Sequence, residues 1–292
     1  MSGIFSILEN KNSSQTNNSV KRSDDILIKN TLRISLVLLS LMIIISSTPL
    51  TTFANKKDKE QLKLPNNVLS ITKANTFPNP SEEMAIVEPS SFTKQLLENV
   101  AEPIENPEII KMLNESSVKT SPFTLGYNAE IYLGRWPLYY KSESSSIIWD
   151  YEPINENELN NRNSNEPQEI KYVQQKDKIV KGALMNKVDN PDMIKKLILQ
   201  KTKSKSAFSV AFSTKVGANT KLNNVYNVGA KKLGLLEAYV PAVNEKGQVV
   251  YGDVYIKSKG SDISLHIKNV TKHGVGAWIP IQDHVALTYT IK

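Results

Sequence analysis

The 292-residue chain has no cysteine and only three histidines. Without thiols there is no thiolate nucleophile, disulfide scaffold or Cys-rich metal centre, and three histidines leave little for a His cluster. The Gly-x-Ser-x-Gly elbow is missing, as are a phosphate-binding Gly-Lys loop, a dinucleotide Gly pattern and an EF-hand loop. Nucleotide or calcium dependence therefore has no support. No repeat of 20 to 50 residues is visible. What is present is ordinary: 36 Lys+Arg against 29 Asp+Glu and 40% hydrophobic residues. That balance fits neither a disordered acidic tail nor a polytopic membrane protein.

A single long apolar run stands out. Ile34 to Ile45 reads ISLVLLSLMIII, uncharged and preceded by Lys21, Arg22, Lys29 and Arg33. Pro49 follows, and then Thr52-Phe53-Ala54, with small residues where a signal peptidase reads. Cleavage after Ala54 is the preferred expectation. Counted through Phe53, the run approaches the ~20 residues of a membrane span, so an uncleaved anchor with its N-terminus inside is the alternative. A buried core helix fits poorly, because the run is apolar on every face. In both favoured versions the basic flank places the rest of the chain outside the cytoplasmic membrane, secreted or membrane-anchored. Three parts are expected: residues 1–54 as polar tail plus signal peptide or anchor, 55–75 as linker and extended lead-in, and 76–292 as the folded domain. The last two hold 31 basic and 26 acidic side chains, a mild excess, and no cysteine for a lipid anchor. Packing alone must hold the domain together, and its length is sufficient for that.

Within the domain, Pro78, Pro80 and Pro89 predict extended coil. A short helix is expected with Ser90 or Ser91 capping and Phe92, Leu96, Leu97 and Val100 on one face. A second has Asn106 as cap, Pro107 at its first position, and Ile109, Ile110 and Leu113 inward. From Phe123 the period changes to two: Phe123, Leu125, Tyr127, Ala129, Ile131 and Leu133 alternate with polar residues. Further alternation at Val250 to Ile256, Ile263 to Ile267 and Val285 to Ile291 predicts antiparallel sheet. Asn244 to Gly247 reads as a hairpin loop, and Glu152 to Glu166, with six asparagines, as an exposed loop. Asn190-Pro191-Asp192 opens a third helix with Met193, Ile194, Leu197 and Ile198 at helical spacing. The expected fold is a single α+β domain, a large antiparallel sheet, sandwich-like or partly closed, with a few short helices.

Five strings, VLSITKANTFPNP, IYLGRWPLYY, YVQQKDKIVKGAL, VPAVNEKGQVVYGDVY and GVGAWIPIQDHV, lie scattered from about Leu64 to the C-terminus. In these the chain resembles the YfkD-like family of exported bacterial proteins. That resemblance implies an extracytoplasmic protein and carries over no catalytic residue. The 33-residue polar leader departs from the short leader the family implies.

Chemistry is sparse. A metal site would join His273, Asp283 and His284, but neighbours on a strand face opposite ways, so Asp283 and His284 would need a turn to converge. No metal and no cofactor is expected. Paired carboxylates could run glycoside hydrolysis, and Glu130 and Asp253 are candidates on predicted strands. Tyr127 to Tyr151 holds seven of the 21 aromatics. Among these, Trp136, Tyr139 and Trp149, with Arg135, are the binding candidates, since flat rings with polar edges stack on sugars or grip another chain. Core filling competes with that reading. Lys195, Lys196, Lys201, Lys203 and Lys205 run without an intervening acid, which suits a helix C-terminus or an anionic surface. Nucleic acid is disfavoured by location. The leading expectation is a non-catalytic module that binds wall polymer or another envelope protein. A carboxylate-dependent hydrolase and a membrane-anchored sensor are the alternatives.

Overall fold

In the computed structural model residues 64–79, 87–116, 128–260 and 262–292 are described. The expected leader, the linker up to residue 63, Pro80 and the strand residues Phe123 to Tyr127 lie outside them.

Three strands of unusual length dominate: β2 (Asn128–Asn160), β8 (Leu233–Lys259) and β9 (Asp262–Pro280). Strands commonly run 3–10 residues, whereas β8 alone would span roughly 90 Å if fully extended. Strand β8 is central. Along one edge it pairs antiparallel with β2 from Lys259 back to Leu233. Along the other it pairs with β9 over Ala242–Lys259 and with β10 (His284–Ile291) over Gly234–Tyr239. Strand β1 (Val68–Ser70), inside the expected lead-in, extends β10, and β5 (Ala183–Leu184) extends β9. Two small ladders, β3 (Gln168–Val173) with β7 (Lys221–Val228) and β4 (Lys178–Lys181) with β6 (Ser213–Val216), complete the strands.

Helices α1 (Ser91–Glu98), α2 (Pro107–Glu115) and α3 (Pro191–Lys205) form where the sequence predicts them. The Ser90 hydroxyl accepts from the Thr93 amide, and the Asn106 side-chain Oδ1 accepts from the Glu108 amide. In α2, Ile109 and Leu113 are buried while Ile110 is only half-buried. Asn190 precedes α3 in the left-handed region, φ 55°, and makes no side-chain cap.

Three apolar clusters follow one another along the sheet. At the proximal end β1, β3, β7, β10 and the start of β8 gather Ile71, Tyr172, Val228, Leu236 and Leu287. In the middle α3 lays Ile194, Leu197 and Ile198 on Val243, Val249 and Ile279. At the distal end α1 and α2 cover Leu138, Val254, Ile256 and Leu265.

Three expectations are corrected here. Asn244 to Gly247 is no hairpin: it lies inside β8, paired to β2 and β9 at once, with Glu245 only 1% exposed. Gly247 serves close approach, since a Cβ there would stand 2.2 Å from the Lys141 carbonyl and 2.6 Å from the Tyr140 hydroxyl. Glu152 to Asn160 is not a loop but the last part of β2. Two of its asparagines reach backbone, Asn155 and Asn157 both donating to the Val173 carbonyl, Asn160 stays exposed, and Asn161, just past the strand, is buried. Ile131 was expected inside and is 54% exposed at the edge of the sheet.

Candidate binding cleft at Trp136

Trp136 forms one wall of an open cleft of about 500 Å³. Helix α2 contributes Glu108, Lys111, Met112 and Glu115, with Ser116 at its C-cap, and α3 contributes Met193. Small-ligand sites commonly occupy 300–1,000 Å³. The helical positions follow from the period, because 108, 111, 112 and 115 share one face of α2 while Ile109 and Leu113 turn to the core.

The indole is held in place by its own strand. A register shift lies between Tyr132 and Gly134, and Gly134 adopts φ +114°, a conformation costly for any side chain. The indole folds back over that glycine, and its Nε1 donates to the Leu133 carbonyl at 3.0 Å. A Cβ at Gly134 would stand 3.0 Å from that same nitrogen. One side of Trp136 packs on the distal cluster and the residue is half-buried, so it is core on one side and cleft wall on the other.

The walls are tied to one another. Buried Asn106 caps α2 and donates through Nδ2 to the Pro137 carbonyl at 2.7 Å, and the same nitrogen lies 4.0 Å from the Met193 sulfur. The amides of Glu105 and Asn106 both donate to the Leu138 carbonyl. Across to α3, Lys196 bonds Glu108 at 2.9 Å and Lys201 reaches Glu105 at 3.4 Å. The hydrogen bond from Lys196 is the main cause holding the Glu108 carboxyl below its ordinary range. Lys195 pairs with Asp192, so three of the five lysines singled out in the sequence are engaged by acids.

The four predicted binding residues do not share a site. Trp136 lines the cleft. Tyr139 packs on the same cluster and donates to Glu102 at 2.8 Å; burial and that carboxylate push its phenol up to about 12. Arg135 points into a cross-strand clamp, donating to the Asp253 carboxylate at 3.0 Å, the Asn269 carbonyl and the Thr271 hydroxyl. Trp149 stands edge-on to Phe208, which also meets the His284 ring. The cleft residues the sequence reading missed are Lys111, Met112, Glu115 and Met193. For Lys111, Met112 and Glu115 the one signal was the shared helical face of α2; Met193, on α3, had none.

Glu130 and Asp253 are both held by partners. Lys268 bonds Glu130 at 2.7 Å and its Nζ lies 4.6 Å over the Tyr255 ring. Asp253 accepts from Asn269 at 2.7 Å as well as from Arg135. These bonds hold both carboxyls below their ordinary values, Glu130 through Lys268 and Asp253 through Asn269 first and then Arg135. A general acid must retain its proton near the working pH, and neither group is arranged to do so. Asp283 and His284 do meet, Oδ1 to Nδ1 at 2.8 Å, because Asp283 lies in a bend before β10 and not on a straight strand. His273 instead lies against Tyr251, and His266 against Ser264. Among the described residues no three His, Asp or Glu side chains gather as a metal site requires. No helix among them is long and apolar enough to cross a membrane.

Comparison with protein families matches residues 65–292 to YfkD-like protein. The chain belongs to the YfkD-like family. It is 46% identical over 233 residues to Uncharacterized protein YfkD of Bacillus subtilis (strain 168), covering 80% of this chain and 88% of that protein. Among solved structures, that of a lamprey immune protein aligns at 10% identity with a TM-score of 0.22, over 56% of this chain and about half, 53%, of the other. The family match includes β1 through β10, so the cleft and the clamp both fall inside it.

Proposed function

We propose that the chain is a non-catalytic binding or assembly module of the cell envelope, exported or anchored by residues 1–54, and that the Trp136 cleft seats its ligand. The ligand is a wall polymer or another envelope protein. The observation that carries this reading is a large aromatic ring fixed by Gly134 and its own hydrogen bond, yet left half-open beside Met112 and Met193. Burying such a ring against a partner is how interfaces gain most of their affinity. The supporting argument against catalysis is that the carboxylates weighed for hydrolysis are taken up in structural pairs.

The test uses the full chain, solubilised in mild detergent, with isolated cell wall and with detergent-extracted envelope proteins. Retention by one of the two, weakened by Trp136→Ala in a variant with unchanged circular dichroism, is the expected result. Retention by neither removes the proposal. Product release from wall polysaccharide that disappears in Glu130→Gln or Asp253→Asn would replace it with a hydrolase.

A further inference from the structure

The rim of the cleft narrows the chemistry of what it holds, and this step rests on the binding reading above. Around the indole stand two carboxylates, Glu108 and Glu115, and one ammonium, Lys111, while Glu108 is already neutralised by Lys196. On α3, Lys195 is engaged by Asp192 and Lys201 by Glu105. The distal outer face is similarly self-satisfied, with Lys268 on Glu130 and Arg135 on Asp253. A site for phosphate or carboxylate ligands would leave cations uncommitted and aimed inward. Here Lys111, whose charge also acts on Glu108 through space, and Glu115 are the lining groups outside a hydrogen-bonded ion pair, one donor and one acceptor, which suits hydroxyls.

A sugar ring has a flat C–H face that stacks on indole and an edge of hydroxyls that both donate and accept. The two thioethers beside Trp136 adapt to an irregular apolar outline. An apolar peptide side chain would leave Glu115 and Lys111 without use; a sugar engages both. The openness of the cleft to solvent fits a ring within a longer chain that continues past α2 on either side. We infer that the Trp136 cleft binds a neutral glycan, one sugar ring stacked on the indole with hydroxyls on Glu115 and Lys111, in preference to an anionic polymer or a lipid headgroup.

The experiment titrates the full chain in detergent by isothermal titration calorimetry, a readout independent of any tryptophan, with three probes: a neutral N-acetylglucosamine oligosaccharide, polyphosphate, and mixed micelles of phosphatidylglycerol. Trp136→Ala, Glu115→Gln and Trp149→Phe are run beside the parent chain, with circular dichroism as the check on folding. The expected result is a saturable change with the oligosaccharide, about tenfold weaker in Trp136→Ala, weaker in Glu115→Gln, and retained in Trp149→Phe. Raising the salt should leave it nearly unchanged, because no counterions are released. A response to polyphosphate or to the lipid micelles alone overturns the inference, as does an oligosaccharide response indifferent to both cleft variants. If Trp136→Ala fails to fold, Glu115→Gln alone decides. Capture of an envelope protein through Trp136 with no sugar response overturns this inference and leaves the broader function standing. Silence with all probes and with envelope proteins overturns both.

Discussion

The two ends of the long sheet solve the same problem with different chemistry. At the proximal end polar groups are taken inward and given backbone partners. The Tyr172 hydroxyl donates to Gln174, whose Nε2 donates to the Ile154 and Lys176 carbonyls, and Asn161 Nδ2 donates to the carbonyls of Glu166, Val228 and Gly229. Around them Tyr172, Val228 and Leu236 are fully enclosed. At the distal end the charged groups stay outside, as the Glu130–Lys268 and Arg135–Asp253 pairs, buried polar side chains sit at the helix starts, Thr93 and Asn106, and the helices leave a cleft with an indole in its wall. Buried hydrogen bonds specify one arrangement, whereas exposed ion pairs contribute little energy but shape a surface. One end closes the fold and the other presents it.

The largest effect should come from the closed end. Leu236→Ala removes a side chain with no exposure and is expected to cost about 2–5 kcal/mol in urea unfolding. A cost under 1 kcal/mol would mean the proximal cluster is not the stable part. Next in size is Gly247→Ala in the middle of β8, where the new methyl meets the Lys141 carbonyl; about 1–3 kcal/mol or more is expected. Gly274→Ala on β9, with nothing within 4 Å of its Cβ, is the matched control and should stay near zero.

That glycine pair also marks where the sequence stopped being legible. Capping residues placed α1 and α2, because Ser90, Asn106 and Pro107 act locally, and α3 was legible from Pro191 and its helical period instead. Strand alternation placed Ile263 to Ile267 and Val285 to Tyr289 on buried clusters, while Ile291, read in the same alternation, is 47% exposed at the end of β10. It failed on β2 at Ile131, and on β8 it held from Val250 to Ile256 but not along the whole strand, because the inward set changes parity. On β8 the cluster residues run Leu236, Ala238, Val240, then Val243, Val249, Tyr251, then Val254, Ile256. The changes fall where the register shifts, near Pro241 and Gly252. A bulge costs one residue of count and leaves no signature in composition. The asparagine-rich stretch misled for a related reason, since loops and backbone-satisfying strand edges use the same residue type. At the cleft, Trp136 was legible as an aromatic among aromatics. Its helix-borne neighbours were not, because nothing in α2 says which strand it will face.

Acid should separate the ends with a smaller effect. Glu108, Glu130 and Asp253 at the distal side are held below ordinary values of 4.5, 4.5 and 3.8. A depressed carboxyl stabilises the fold above its ordinary value and loses that contribution as pH falls through the folded one. The proximal region has one such group, Asp177, lowered first by the Ala218 amide and then by Lys215. Below roughly pH 4, hydrogen exchange should therefore rise in residues 128–136 and 253–271 before it rises in 170–174 and 236–240. Simultaneous loosening would erase the distinction. The smallest effect belongs to Lys201→Ala, which removes an exposed pair with Glu105 and should change stability by less than about 1 kcal/mol.

The most direct measurement labels the three tryptophans, Trp136, Trp149 and Trp278, with 5-fluorotryptophan and follows their separate fluorine resonances in the full chain as solubilised envelope ligand is added. The Trp136 line should shift and saturate while the Trp149 and Trp278 lines hold still. Ligand retained by the chain with the Trp136 line unmoved would place binding elsewhere and contradict the account.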